Sequence, residues 1–430
     1  MMNPASWWSG AIIWTAIGRL IGGLGGVLSI PLLIRALTPH EQGLHYIFAS
    51  LLAAQVLLEL GFSTVAIQSI SHARHSDTGR HEYAGFFLLT LRWYAAVAGG
   101  VVALLLPAGL LFLSHGVEGA DATDWQRPWV FCVVSAALGA ITTGATSALE
   151  GLGHVLPMSR TRALAGIARL VVLCLVLAAG GGLWSTGAAS LAGAGVALLG
   201  LLPHRREIQE TLGLGRRSTV SWRRDLWPFQ WRIGLSWASG FFIFNILTIS
   251  VAYAQGAAAA GRFGIAVSLA NGVGAIASAW TTPRQAPWAA LAARREWRLL
   301  DREFVQTTIA ATLISLLGIG AGSVMLGLLS QHPIAWRLPE PVVWLLIGAA
   351  AVVNQPVFAA ATYLRAHGRE PFLAISILFG IGMGALAFPA AARGAATLAA
   401  VHLILNLGIG LGAGALIFCR CRTTWHAHPA

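Results

Sequence analysis

Long apolar runs separated by short polar stretches make up almost the whole chain. A helix needs about 20 apolar residues to cross a hydrocarbon core of about 30 Å, and each run is long enough to do so. None of the runs shows the strict alternation of apolar and polar residues that is typical of outer-membrane barrels. The pattern predicts an all-α membrane protein with twelve transmembrane helices, near residues 8–34, 44–70, 84–114, 128–148, 159–180, 183–202, 229–254, 262–283, 305–330, 341–364, 371–390 and 394–418.

The composition agrees with this prediction. Of the 430 residues, 56% are hydrophobic and only 10% are charged, whereas soluble domains carry about 25% charged residues. The first run is too long for a secretory signal peptide, follows no basic segment and contains Arg19. It is therefore predicted to be the first span.

All 28 basic residues are arginines, and their distribution predicts the orientation of the chain. If the N-terminus is cytoplasmic, the inside loops and tail hold 19 arginines, and the outside loops hold only Arg35, Arg127, Arg262, Arg337 and Arg393. Cytoplasmic loops of membrane proteins carry such an excess. The sequence therefore predicts a multi-pass protein of the bacterial cell inner membrane with both termini in the cytoplasm. The net charge of +12 reflects this bias and contact with anionic lipids, and no nucleic-acid partner is expected.

Several classes of chemistry are excluded by missing residues. Without lysine the chain has neither a P-loop nor a Schiff-base lysine. The HExxH and GxSxG motifs and paired catalytic carboxylates do not occur, so no enzyme activity and no cofactor are predicted.

Cys132 and Cys174 lie in spans, whereas Cys419 and Cys421 lie near His426 and His428. A frayed tail explains this second group better than a metal centre, and no metal site is predicted.

The chain divides into two related halves. The sequences LEGLGH (149–154) and LRAHGR (364–369) are 215 residues apart, and the segments beginning at Gly43 and Gly261 match at an offset of 218. Six spans per half keep the two halves in the same orientation, which predicts a parallel repeat around a central cavity. The predicted units are residues 1–205, an arginine-rich cytoplasmic linker at 206–228, and residues 229–430. The basic stretch 288–303 is predicted to be an interfacial amphipathic helix.

Charged residues at membrane depth indicate where a site could lie, because they are costly unless they face a cavity or a partner. Arg19 and Glu59 either form a neutralising pair between helices or contribute to a site. Arg169 has no carboxylate in its own span, which favours a cavity-facing cation. Arg92 and Arg232 lie nearer the ends of their spans and could instead reach the headgroups.

Apart from Arg232, the polar residues singled out within the spans of the second half are uncharged. Amides of this kind serve as interhelical hydrogen-bonding groups or as a polar binding surface. His402 could pack, donate a hydrogen bond or relay a proton. The set comprises Asn245, Asn271, Asn354, Gln355, His402 and Asn406.

Residues 31–43 (PLLIRALTPHEQG), 58–64 (LELGFST) and 363–369 (YLRAHGR) resemble segments of the polysaccharide (O-antigen, Wzx-type) flippases. These flippases belong to the multidrug/oligosaccharidyl-lipid/polysaccharide exporter superfamily. Gln42 stands where that pattern usually has an aromatic residue, Glu59 where aspartate is commoner, and Gln68 where a basic residue is frequent.

The resemblance implies that the chain flips an undecaprenyl-diphosphate-linked oligosaccharide from the cytoplasmic to the periplasmic leaflet for O-antigen, capsule or exopolysaccharide assembly. It implies that Arg19, Arg169 and Arg232 meet the diphosphate. Glu59 would pair with Arg19 in the empty cavity, and Asn271 and Asn354 would contact sugar hydroxyls. Expected partners are the lipid-linked oligosaccharide, membrane lipids, H⁺ or Na⁺ as coupling ion, and a polysaccharide polymerase.

Three alternatives stay open at this point. A cation-coupled multidrug exporter of the MATE kind would need a carboxylate in the cavity, and Glu59 is the one mid-span candidate in the sequence. A lipid II flippase would usually have two extra spans. A glycan polymerase or ligase would need a large periplasmic loop with catalytic residues, and the longest outside loop, near 115–127, is short.

Overall fold

The structure is a computed structural model that describes residues 4–75, 80–116, 124–367 and 369–427. Helices account for nearly all of this part of the chain, and no strand occurs within it. The fold is therefore all-α. The helices are assigned below to spans one to twelve in chain order.

The first half consists of six spans. A local signal sets the start of span two, where Pro39 occupies the first turn and Thr38 and Glu41 form a reciprocal capping box. Span one is α1 (Pro4–Ala36), and span two is α2 (Pro39–Leu52), α3 (Gln55–Glu59) and α4 (Phe62–His75). Span three is α5 (Arg80–Gly100), a π-helical turn (Val101–Leu105) and α6 (Leu106–Gly116), and spans four to six are α7 (Gln126–Gly151), α8 (Val155–Ala178) and α9 (Trp184–Leu201).

The second half repeats this number of spans after α10 (Arg205–Gly215), which occupies much of the predicted linker. Spans seven and eight lie within a π-helical turn (Trp222–Leu226), α11 (Trp227–Phe244), α12 (Ile246–Thr281) and α13 (Gln285–Ala293). Spans nine to eleven are α14 (Trp297–Leu329), α15 (Pro341–Ala366) and α16 (Leu373–Arg393). Span twelve is α17 (Ala395–Leu405), a π-helical segment (Asn406–Ala413) and α18 (Gly414–Ala427).

A glycine separates spans seven and eight. Among the described residues, eleven helical stretches are long and apolar enough to cross a membrane, and one of them, Trp222–Ala293, is 72 residues long. A straight helix of that length would measure about 108 Å, more than three times the thickness of the hydrocarbon core. Gly256 interrupts α12 with φ 81° and ψ 176°, a conformation open to glycine. The break at Gly256 divides this stretch into two spans, which brings the described part of the chain to twelve.

The two halves meet at residues that the repeat relates to each other. Gly43 of span two contacts Gly261 of span eight, where an added methyl group would stand 2.9 Å from the Gly43 nitrogen. The Tyr46 ring lies on Gly264, which is again 218 residues away. Equivalent residues can touch each other only near a two-fold axis. The axis of the parallel repeat therefore passes between spans two and eight, and glycine permits the close approach.

A second packing pattern occurs once in each half. Trp129 at the start of span four lies on Gly109 of span three, and Trp344 at the start of span ten lies on Gly322 of span nine. Both tryptophans are buried. Their indole nitrogens donate to the Leu106 carbonyl at 3.2 Å and to the Ser323 hydroxyl at 2.8 Å, respectively. The two halves thus share packing as well as span number.

The prediction of a single amphipathic helix over residues 288–303 is wrong. The structure has two helices there, because α13 ends at Ala293 and α14 begins at Trp297. Arg295 between them adopts a left-handed conformation with φ 58°, which is incompatible with a continuous right-handed helix. Trp288 is fully buried rather than interfacial.

Candidate functional site

A cavity has two adjoining lobes, of which lobe one lies between the halves and lobe two lies within the second half. Lobe one has a volume of about 880 Å³ and is lined by spans one, two, five, six, seven, eight and ten. Lobe two has a volume of about 410 Å³ and is lined by spans seven, eight, ten and twelve. Both linings include Asn245 and Asn271, so the two lobes are adjacent. This space is large enough for a substantial polar ligand.

Arg169 of span five brings a positive charge into lobe one. Its side chain is exposed although it lies in the middle of an apolar helix, because it faces the cavity. Gly193 of span six lies directly under the side chain, and a methyl group there would overlap the Arg169 Nε atom. Among the described residues, no carboxylate lies within 4 Å of Arg169, and none accepts a hydrogen bond from the Arg169 side chain. The guanidinium is therefore free to bind a ligand.

The other polar side chains of lobe one are uncharged and lie among apolar residues and glycines. His45 Nδ1 lies 2.8 Å from the Thr186 hydroxyl, which joins span two to span six. Tyr46, Ser50 and Ser268 add hydroxyl groups to the lining. His45 and Tyr46 are cavity residues that were not predicted from the sequence. Their polarity within the apolar run of span two was the available signal.

Lobe two is lined by amides. Asn406 donates to the Ala350 carbonyl at 3.1 Å, and Gln355 donates to the Ala351 carbonyl at 3.3 Å. Gln355 Oε1, Asn406 Oδ1 and His402 Nδ1 are buried without a hydrogen-bond partner among the described residues. Unpaired buried polar atoms cost free energy, so this part of the protein holds polar groups that the described residues do not satisfy. Asn406 begins the π-helical segment of span twelve, a distortion that is frequent at functional sites.

The structure brings four of the seven predicted site residues to the cavity. Arg169 lines lobe one, Asn271 lines both lobes, and Asn354 and His402 line lobe two. Arg19 belongs to α1, and its side chain lies outside the part of the chain that the structure describes, as does its predicted pairing with Glu59.

Glu59 and Arg232 lie elsewhere. Glu59 ends the short helix α3 and accepts a hydrogen bond from Gln55 at 2.8 Å. Span two is broken just after it, where Leu60 and Gly61 both have positive φ, and neither cavity lobe includes Glu59 in its lining. Arg232 is exposed on span seven and lies 5.5 Å from the ring centre of Trp231, an arrangement typical of an arginine at the headgroup level.

Hydrogen bonds join the two halves on one face of the molecule. This arginine-poor face carries the loops after the odd-numbered spans. Arg337, between spans nine and ten, donates to the carbonyls of Ile34 and Leu37 at the end of span one. It also donates to Gln42 Oε1 at 2.9 Å, and Gln42 Nε2 donates back to the Arg337 carbonyl at 3.4 Å. These hydrogen bonds, called the inter-half tie below, join the two halves across about 300 residues of sequence.

The tie accounts for Gln42, which stands where the flippase pattern has an aromatic residue. Gln42 is 2% exposed, and its amide matches both a donor and an acceptor of Arg337. Burial lowers the pKa of the Arg337 guanidinium from its ordinary value, and the Glu41 carboxylate opposes this effect. The guanidinium nevertheless stays charged at any physiological pH, because the ordinary pKa of arginine lies far above that range.

The electrostatics of the cavity are one-sided. Arg169 is the one charged side chain among the described residues that line the two lobes, and the lining contains no carboxylate. In a low-dielectric setting an unpaired guanidinium attracts anions strongly and repels cations. The geometry therefore suits an anionic group in lobe one and hydrogen-bonding groups in lobe two.

Comparison with known proteins finds solved structures with a similar fold. No protein-family model and no curated protein matches the chain. Two similar solved structures are MATE family multidrug resistance transporters of the MOP superfamily. The inward-facing one has a TM-score of 0.65 at 14% identity over 98% of this chain and 96% of that chain. The outward-facing one has a TM-score of 0.55 at 16% identity, over 95% and 96%.

A third similar structure is a MOP superfamily transporter from Pyrococcus furiosus, described for the reverse polarity of its binding pocket. Its TM-score is 0.58 at 14% identity, over 96% of both chains. The likeness spans the full length in each case. The chain thus has the twelve-helix fold of these multi-pass membrane proteins.

Proposed function

We propose that this protein is a transporter that flips a lipid-linked oligosaccharide with a diphosphate linkage from the cytoplasmic to the periplasmic leaflet of the bacterial inner membrane. The observation that carries the proposal is the unpaired Arg169 in a cavity lining without a carboxylate. Undecaprenyl-diphosphate-linked repeat units for O-antigen, capsule or exopolysaccharide have the matching chemistry, an anionic linkage joined to neutral polyhydroxylated sugars.

Each lobe has a part in this proposal. The planar guanidinium of Arg169 pairs with diphosphate oxygens through two parallel hydrogen bonds. Amides donate to and accept from hydroxyl groups, so the sugars occupy lobe two, beside Asn271, Asn354 and Gln355. The polyprenyl chain stays in the bilayer. Arg19 of α1 remains a second candidate for the diphosphate.

The closed face suggests the state of the transport cycle. The excess of arginine on the opposite face supports a cytoplasmic location for that face, so the inter-half tie closes the periplasmic side. The greater similarity to an inward-facing relative agrees with this assignment. Rocking of the halves about the repeat axis would break the tie and release the substrate outward. Coupling to H⁺ or Na⁺ and docking of a polymerase are further parts of the proposal.

A second candidate function is cation-coupled multidrug export, which the family of the structural neighbours favours. A carboxylate in the cavity would attract a cationic drug. Glu59, the one mid-span carboxylate predicted from the sequence, lies outside the described lining of the cavity. Arg169 lies inside the cavity and would repel a cationic drug. The neighbour with reversed pocket polarity indicates that this fold accommodates such a difference in charge.

Disruption of the gene separates the two candidates. We expect loss of surface polysaccharide and accumulation of lipid-linked repeat units on the cytoplasmic leaflet, with unchanged sensitivity to cationic drugs. Complementation with the wild-type gene should restore the glycan. Normal surface glycan together with raised drug sensitivity would refute flipping and support drug export.

A further inference from the structure

Three metal-ligating side chains meet on the arginine-rich face, away from the cavity. They are His154, Glu207 and His204, and the ligand atoms that they offer all lie within 4.8 Å of one another. His154 precedes α8, His204 ends the short turn after span six, and Glu207 lies in the first turn of α10. The group therefore connects the loop between spans four and five to the start of the linker between the halves.

The local backbone explains why these side chains converge. Gly153 has φ +97°, which turns the chain sharply and presents His154 at the start of α8. His204 and Glu207 are three residues apart, so they lie on the same side of a helical turn. His154 Nε2 is 2.8 Å from Glu207 Oε2, and His204 Nδ1 is 3.7 Å from the same oxygen. The two imidazole ring centres are 4.3 Å apart.

These separations are close to those of a tetrahedral metal centre. With metal–ligand distances of about 2.0–2.1 Å, ligand atoms around zinc lie about 3.4 Å apart. The two measured separations lie on either side of that value, so small side-chain rotations would suffice. Two imidazoles and a carboxylate suit Zn²⁺, Co²⁺ or Ni²⁺, whereas Mg²⁺ prefers oxygen ligands. All three residues are half-buried, which leaves room for water as a fourth ligand.

We propose that His154, His204 and Glu207 form a binding site for a divalent metal ion of the zinc type. The bound ion fastens the start of the inter-half linker to the loop between spans four and five. It makes the first half and α10 move as one body. This site is independent of the transported substrate, since none of its residues lines the cavity.

The test uses the full-length protein in detergent, purified through an affinity tag that contains no histidine. Titration calorimetry with Zn²⁺ and Co²⁺ should give one ion per chain, and Co²⁺ should show the visible absorption of a tetrahedral centre. The melting temperature should rise with Zn²⁺ concentration, because the ion binds the folded state. Mg²⁺ should have no effect on it.

Variants locate the binding. His154→Gln keeps a donor for Glu207 but removes the imidazole, and with His204→Ala and Glu207→Gln it should weaken Zn²⁺ binding by more than about tenfold. His81→Gln is a matched control, since His81 Nδ1 lies 3.4 Å from the Leu214 carbonyl on α10 without joining the cluster. Cys419→Ser/Cys421→Ser tests the C-terminal tail. Both controls should bind like the wild type.

Three results would overturn the proposal. The first is no stoichiometric binding of Zn²⁺ or Co²⁺ to the wild-type protein. The second is binding that survives both His154→Gln and His204→Ala. The third is loss of binding in the double cysteine variant, which would assign the ion to the tail.

Discussion

Two arginines, Arg169 and Arg337, show how the same side chain takes different roles in one molecule. Arg337 donates to two backbone carbonyls and to the buried amide of Gln42, and these acceptors belong to the other half of the protein. Arg169 lies beside a glycine, faces the cavity and has no described acceptor. The Arg337 guanidinium donates to three acceptors of the protein, whereas the Arg169 guanidinium donates to no described acceptor.

This difference indicates which of the two arginines can bind a ligand. A cation that is shielded from bulk water must recover its lost hydration from neighbouring groups or from a ligand. Arg337 recovers it from carbonyls and an amide, so its charge holds the two halves together. Arg169 can recover it only from water or from a ligand in the cavity, so its charge selects what enters. Substitutions at the two positions should accordingly have separable effects, one on substrate and the other on conformation.

The largest effect is expected for reversal of the cavity charge. Arg169→Ala removes charge-assisted hydrogen bonds worth about 1.5–3 kcal/mol, which corresponds to roughly 10- to 100-fold weaker substrate binding. Arg169→Glu adds repulsion of the diphosphate and should abolish export. Arg169→Lys keeps the charge but loses the planar fork and should be intermediate. The measurement is surface-polysaccharide yield in the complemented disruption strain, normalised to protein level in the membrane.

Arg232→Glu is the matched control, because Arg232 is exposed and lies outside the described lining. It should support nearly normal export. A cavity that carries cations would respond in the opposite way, since Arg169→Glu would then raise resistance to cationic drugs. Full polysaccharide yield in Arg169→Glu would exclude a role for this charge.

Loss of the inter-half tie should produce the next largest effect. Arg337→Ala removes hydrogen bonds from a charged donor, which contribute about 1.5–3 kcal/mol to the closed arginine-poor face. The equilibrium should shift toward opening of that face by roughly 10- to 100-fold. A cysteine at Ala260, which is 0% exposed on that face, would report the change through faster labelling by a membrane-impermeant maleimide, with the four native cysteines replaced.

Arg127→Ala serves as the control for this measurement. Arg127 is an exposed arginine on the same face, and its removal should leave the labelling rate unchanged. Equal labelling rates in Arg337→Ala and the wild type would show that the tie does not hold the face closed.

Much of the fold could be predicted from the sequence because membrane spans are encoded locally. Each apolar run specifies a span without reference to its neighbours, so twelve spans were predictable. The repeat was detectable because Gly43 and Gly261 match in sequence. Their direct contact was not predictable, since two identical motifs can also lie far apart in a duplicated protein. The break at Arg295 was missed because hydrophobic periodicity carries no information on a single left-handed residue.

The site was predictable only where one residue was anomalous by itself. Arg169 and Asn271 are polar residues within apolar runs, and such residues usually face a cavity or another helix. The tie between Gln42 and Arg337 spans 295 residues, and the contact between His154 and Glu207 spans 53. Each partner alone resembles an ordinary loop residue. Glu59 and Arg232 show the converse, because depth along a helix does not specify which side of the helix a residue occupies.

A smaller effect on the cavity is expected from Gly193→Ala. The added methyl group would overlap Arg169 Nε, so the flexible side chain must shift while its charge remains. We expect a loss of export of about threefold to tenfold, from roughly 1 kcal/mol of misplacement. Gly195→Ala on the same helix is the control, because its methyl group would meet no atom within 4 Å. Equal export by the two variants would mean that the position of Arg169 is unimportant.

The smallest effect is expected for Gln42→Leu, which removes one acceptor of Arg337 and leaves the carbonyls of Ile34 and Leu37 in place. The expected loss is about 1 kcal/mol, or roughly fivefold in the labelling of the Ala260 reporter. In an Arg337→Ala background the same change should have a smaller effect, because the guanidinium is absent and only the 3.4 Å hydrogen bond from Gln42 Nε2 to the backbone carbonyl of residue 337 is left to lose. Additive effects in the double variant would mean that Gln42 stabilises the closed face through packing alone. The inter-half tie would then rest on the backbone carbonyls, and the aromatic residue of the flippase pattern could replace Gln42 without cost.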